Sequence, residues 1–151
     1  MMETEIYKVE TRDDLKKFIF YPASLHRNHK NWVPPIYSDE WTFLSTKKNK
    51  NMRSNDTLLL LAYDGDKIVG RIMGIINRHH NEVHNLKTAR FFYLECENNP
   101  EIWHALIQSI ENWAKEKGMN KMIGHEEKST NQLYFTLVGY EGLSWQETKE
   151  K

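Results

Sequence analysis

The sequence predicts a mixed α+β fold, a mostly antiparallel sheet flanked by helices, and three features carry that expectation. Residues 57–96 hold three apolar, β-rich runs separated by a turn and a polar segment, which reads as an antiparallel meander. Ile102, Leu106, Ile110 and Trp113 then recur at i, i+4, i+8 and i+11, the stripe of an amphipathic helix. The run MNKMIG follows, so strand, helix and strand from Arg90 to Gly124 form a right-handed crossover with parallel strands.

Taken in order, Ile6 and Val9 among polar neighbours mark a short first strand. Thr11 before Asp13 and Asp14 marks the cap of a helix beginning near Arg12. Leu15, Phe18 and Ile19 give that helix its apolar face, and Pro22 is expected to end or kink it near Tyr21. HRNHKNWVPP is a polar loop, Pro34 and Pro35 fix an extended approach to a second helix over 36–44, and STKKNKNMRSN reads as a mobile connector. LLLLAY, DGDK and IVGRIMGII form a hairpin in which Gly70 and Gly74 mark bulges or close packing. NRHHNEVHNLKT reads as a loop before the third strand, RFFYLEC. Asn99 caps the long helix, Pro100 suits its first turn and Gly118 ends it. Ser129 is expected to cap a late helix through Leu137, closed by Gly139 and Tyr140, with a last strand near 143–148.

A chain of 151 residues suits a single domain, 1–151, burying roughly two thirds of the surface of the unfolded chain. Lys and Arg number 21 against 21 Asp and Glu, so no global field draws nucleic acid or an anionic membrane, and neither is expected as a partner. Cys96 is the one cysteine, which excludes an internal disulfide and fits a reducing compartment. No apolar run approaches the roughly 20 residues of a membrane span, and the N-terminus lacks a signal-peptide core; a cytoplasmic protein is expected.

A strand, two helices, a three-strand meander, a long helix, a strand and a late helix ending in Gly-Tyr resembles the GNAT superfamily of acyl-CoA-dependent N-acetyltransferases. NWVPPIYSDE, LAYDGDKIVGRI, INRHHNE and EKGMNKMIG more narrowly resemble the N-terminal part of poorly characterised bacterial GNAT-like proteins. The resemblance implies that the third meander strand splays from its parallel neighbour, offering backbone at Leu94, Glu95 and Cys96 to the pantetheine arm of acetyl-CoA. The phosphates would then sit beside Asn98, Asn99 and Ile102 at a helix N-terminus, where amides and the helix dipole favour anions. This chain departs from the family there: NNPE stands where spaced glycines are usual, and Glu97 and Glu101 bring negative charge. NNPE is equally read as a plain helix cap.

Acyl transfer to an amine needs a base, a polarised carbonyl and a proton for the leaving thiolate. The resemblance points to Glu95 as base, against a reading as surface charge. It points to a tyrosine four residues before the helix-ending glycine as acid. Counting back from Gly139 gives Phe135, so Tyr134 takes the role only if the helix end is irregular, and otherwise packs. Trp32 is a wall of the acceptor site or an anchor for its loop. Cys96 reads as a buried thiol before a nucleophile, and His79, His80 and His84 as a solvated loop before a metal site, so no metal is expected.

The implied activity is transfer of an acetyl group from acetyl-CoA to a small-molecule or peptide amine. The alternative is a noncatalytic GNAT-fold binding or assembly module that has lost cofactor use. Superfamily members finish with a two-strand hairpin, whereas about one strand follows Gly142 here. A short C-terminal end of this kind leaves an open sheet edge, and a homodimer through that segment is expected.

Overall fold

The computed structural model describes residues 4–125 and 132–136, with His125 and 132–136 described through their backbone. Among the described residues a six-stranded sheet runs in chain order through β1 (Thr4–Lys8), β2 (Asp56–Asp64), β3 (Lys67–Ile76), β4 (Thr88–Cys96), β5 (Lys121–His125) and β6 (Gln132–Thr136). Every neighbouring pair is antiparallel except β4 and β5, as the crossover requires.

Helices cover both faces. The helix α5 (Pro100–Glu116) lays Ile102, Leu106, Ile107 and Ile110 against Ala62, Val69, Ile72 and Phe91. Gly70 and Gly74 allow this approach, because a Cβ on either would come within about 2.8 Å of Leu106 or Trp113 carbons. On the opposite face α1 (Arg12–Leu25), α2 (Tyr37–Phe43) and α3 (Lys50–Ser54) pack Phe18, Ile19, Leu44 and Met52 onto Leu61 and Met73. Burying each large apolar side chain in these two layers contributes about 1.5–3 kcal/mol before chain entropy is charged against it.

Four sequence expectations are corrected. First, α1 does not stop near Tyr21 but continues through Pro22 to Leu25. Proline has no N–H for the carbonyl four residues back, that of Phe18, and the Arg71 Nη1 donates to that carbonyl at 2.7 Å instead. A long-range donor thus repairs the defect that would have ended the helix.

The second correction is α3, inside the supposed mobile connector. Asn49 caps it through the Asn51 amide, and Met52 is buried in the α1-side core. The third is α4 (Arg78–His84), which replaces the expected loop before β4. Asn77 accepts from the His80 amide, Asn85 closes the helix in the left-handed region, and the buried Asn81 amide donates to the Thr88 carbonyl. His80 and His84 therefore share a face, with ring centroids 4.5 Å apart. Fourth, 132–136 is strand β6, antiparallel to β5, rather than the body of a late helix. Backbone pairing with β5 outweighs the capping signal of Ser129, and Leu-Tyr-Phe-Thr suits a strand as well as a helix. Gly139, Tyr140 and the expected last strand near 143–148 lie outside the described residues, as does the segment expected to form a homodimer.

Candidate functional site

The site is made by a strand that loses one neighbour. β4 is paired with β3 as far as Cys96, whereas its pairing with parallel β5 ends at Phe91 and Gly124. From Phe92 to Cys96 β4 pairs with no residue of β5, so among the described residues a notch forms at the carboxyl ends of two parallel strands. Between the Arg71–Glu95 and Met73–Phe92 pairs β4 carries a bulge, and within it Tyr93 takes a positive φ of 59°, which non-glycine residues rarely adopt. The amide of Glu97 donates to the Val69 carbonyl, so by strand alternation the backbone of Leu94 and Cys96 faces the notch while that of Glu95 faces β3. Of the three residues expected along a pantetheine arm, Leu94 and Cys96 thus turn their backbone away from β3 and Glu95 turns its own toward it.

That side chain is held from two sides. The Glu95 Oε2 lies 3.0 Å from His26 Nε2, and its Oε1 lies 3.8 Å from Arg71 Nη2. His26 is the C-cap of α1, its backbone N–H donating to the Pro22 carbonyl at 2.9 Å. Trp32 stacks on the imidazole with centroids 5.6 Å apart and planes 20° from parallel. Arg71 is buried, its guanidinium between the rings of Phe18 and Tyr93 at 5.1 and 4.9 Å. Glu95, His26 and Trp32 thus converge at one end of the notch, fixed by a buried cation.

At the other wall stands the N-terminus of α5. The Asn99 side chain accepts from the Glu101 amide at 2.9 Å, and its carbonyl accepts from the amides of Ile102 and Trp103 at 3.0 and 3.4 Å. Pro100 has no amide to give. The first-turn donors that would meet a phosphate are therefore already taken within the cap, Asn98 lies exposed in the preceding bend, and the Ile102 side chain is buried against the sheet. Glu97 is less of an obstacle than its charge suggests, because Lys67 Nζ pairs with it at 2.6 Å.

The fold as a whole is shared with solved structures. The chain superposes with a TM-score of 0.61 and 15% identity on a tandem GNAT protein from the clavulanic acid biosynthesis pathway, over 81% of this chain and 36% of that one. It superposes at 0.54 and 20% identity on a PaiA N-acetyltransferase from Thermoplasma acidophilum solved with coenzyme A, over 85% and 83%. The chain has the GNAT fold.

No family model matches this GNAT-fold chain. It is 32% identical over 130 residues to Protein YghO of Escherichia coli K12, covering 84% of this chain and 32% of that protein. It is 26% identical over 137 residues to the bacterial ceramide synthase of Caulobacter vibrioides, covering 90% and 36%. The chain spans about a third of the length of these two curated relatives.

Within the GNAT frame, Tyr134 falls in β6, opposite Ile123 of β5, so the helix-end reasoning that pointed to it as an acid loses its premise. Cys96 has its thiol pushed up to about 11 by burial and then by Glu97 and Glu95, which keeps it protonated near neutrality. A cleft of about 480 Å³ lined by Arg12, Asp13, Lys16, Phe20 and Trp41 lies along α1 toward its start, with none of the residues of the His26–Glu95 site in its lining. Among the described residues no three His, Cys, Asp or Glu side chains gather as a metal-binding group, and no helix is long and apolar enough to cross a membrane. Sequence reasoning placed His26 in the connection expected to border an acceptor site, without giving it a role, and missed Arg71; nothing local in GRIMG marks that arginine as the partner of a carbonyl 53 residues away.

Proposed function

We propose that this chain acts as an acyl-CoA-dependent N-acyltransferase whose acceptor is a long-chain amine. The observation that carries the reading is the His26–Glu95 pair, with Glu95 on β4 four residues beyond that strand's last pair with β5, Phe91–Gly124. The open edge at Leu94 and Cys96 suits the amide groups of a pantetheine arm, which would bring the thioester to the end of the notch beside Glu95. The acceptor class comes from likeness to a ceramide synthase, since a ceramide is the amide of a long-chain amino alcohol.

In this reading Glu95 accepts a hydrogen bond from Nε2–H of His26 and steadies the imidazolium, and the His26–Glu95 pair takes up the proton of the amine. The amine nitrogen attacks the thioester carbonyl carbon, the C–N bond forms, the C–S bond breaks, and the CoA thiolate takes a proton from solvent. Arg71 is a positioning residue that holds Glu95, and Trp32 holds the imidazole ring. Acetyl-CoA remains the simplest donor of the class.

A second reading, a GNAT-fold binding module without cofactor use, is favoured by one observation: the cap of α5 already occupies the amides a phosphate would need. Calorimetric titration with acetyl-CoA and with palmitoyl-CoA separates the two. Micromolar binding, followed by CoA release in the presence of a long-chain amino alcohol, supports the enzyme, and His26→Ala or Glu95→Gln should then slow turnover by roughly a hundredfold or more. No heat with either donor up to millimolar concentration would leave the binding module as the better account.

A further inference from the structure

Beside the candidate site lies an apolar surface with a basic border. Val33 and Ile36 are 80% and 67% exposed, and Pro34 and Pro35 between them are exposed as well. Each proline fixes its own φ and restrains the residue before it, so the VPPI segment is held extended and cannot fold its side chains back. Phe43, 46% exposed, follows Ile36 by seven residues, two turns along the same side of α2. The patch is continuous with the site at two points: Phe43 touches the ring of Tyr93 at 6.4 Å, and Trp32, next to Val33, stacks on His26.

The charge around this patch is not that of the whole chain. Residues 26–54 carry six Lys and Arg against two carboxylates, although the full sequence is neutral. Arg27 and Lys30 precede the apolar loop, and Lys47, Lys48, Lys50 and Arg53 follow α2, all exposed. Asp39 and Glu40 stand between Ile36 and Phe43 on the same side of α2, so the segment carries a net charge of +4, six cations less two carboxylates. Exposed apolar side chains in a segment with this excess of cations match the boundary of an anionic bilayer, where apolar groups enter the acyl region and cations meet headgroups.

We infer that the surface formed by Val33, Ile36 and Phe43, with its lysine and arginine border, docks the chain on an anionic phospholipid bilayer and sets the His26–Glu95 pair at the membrane surface. A long-chain amine then reaches the notch from the bilayer without its alkyl chain crossing water. The inference rests on the acyltransferase reading for its purpose. Its test does not, because vesicle binding is measured without an acyl donor.

The experiment is flotation of the chain with vesicles of phosphatidylcholine alone and of phosphatidylcholine mixed with phosphatidylglycerol. Binding should favour the anionic vesicles and weaken with added salt. Val33→Ser with Ile36→Ser, and separately Lys47→Glu with Lys48→Glu, should each reduce it by roughly tenfold or more, with unchanged circular dichroism. Absence of binding to either vesicle, equal binding to both, or variants that bind like the parent would overturn the inference. So would self-association abolished by the serine pair, which would assign the surface to a second copy of the chain.

Discussion

The imidazole of His26 and the carboxylate of Glu95 meet at 3.0 Å although 69 residues separate them in sequence. Their contact depends on a third residue, Arg71, which holds Glu95 on one side and, through the Phe18 carbonyl, the helix that ends at His26 on the other. Arg71 thereby couples the geometry of the site to the integrity of α1.

Arg71→Leu should lower stability by about 1–3 kcal/mol, since it leaves the buried Phe18 carbonyl without a donor and Glu95 without its cation. Pro22→Ala restores the helical N–H for that carbonyl, so the double variant should lose less than Arg71→Leu alone. Urea unfolding of the four proteins as a double-mutant cycle measures the coupling; strict additivity would contradict the repair described for Pro22.

The β4–β5 junction is sensitive to one methyl group. A Cβ at Gly124 would lie 1.9–2.6 Å from ring carbons of Phe91, well inside contact distance. Gly124→Ala should destabilise the chain by about 3 kcal/mol or more, and Phe91→Leu in the same background should recover part of the loss. Thermal melts of both variants provide the check, and a Gly124→Ala protein as stable as the parent would refute this packing.

Glu111 sits on the buried side of α5 with its carboxyl pushed up to about 7, chiefly by burial and against the opposing pull of Lys115. Below the unfolded value of 4.5 both states are protonated and the residue is neutral to stability. As pH rises from there, the unfolded chain ionises first. Stability is therefore lost up to about 7, and the full penalty, on the order of 2–3 kcal/mol, applies above it. Glu111→Gln should flatten that part of the stability curve and stabilise the chain in alkaline buffer; parallel curves for the two proteins would disprove it.

Cys96, with its thiol pushed up to about 11, should react with iodoacetamide near neutral pH on the order of a hundredfold more slowly in the folded chain than in denaturant. Mass spectrometry of timed samples gives both rates, and equal rates would show that Cys96 is open and acidic after all.

The periodic and capping signals of the sequence determined the meander, α5 with its Asn99 cap and the parallel crossover. Each rests on a local pattern that its own segment satisfies: alternation for strands, a 3.6-residue stripe for helices, a side chain that caps its own first turn. Glu95 and Trp32, singled out in the sequence, are brought to the same imidazole, that of His26, by the fold.

What only the tertiary structure decided depends on partners distant in sequence. Pro22 ends a helix in isolation, but here Arg71 supplies the missing donor. The segment around Ser129 carries a helix cap, yet 132–136 pairs with β5 as a strand. A local pattern reports only the contacts that a segment makes with itself, so a donor or a strand partner supplied by another segment overrides it.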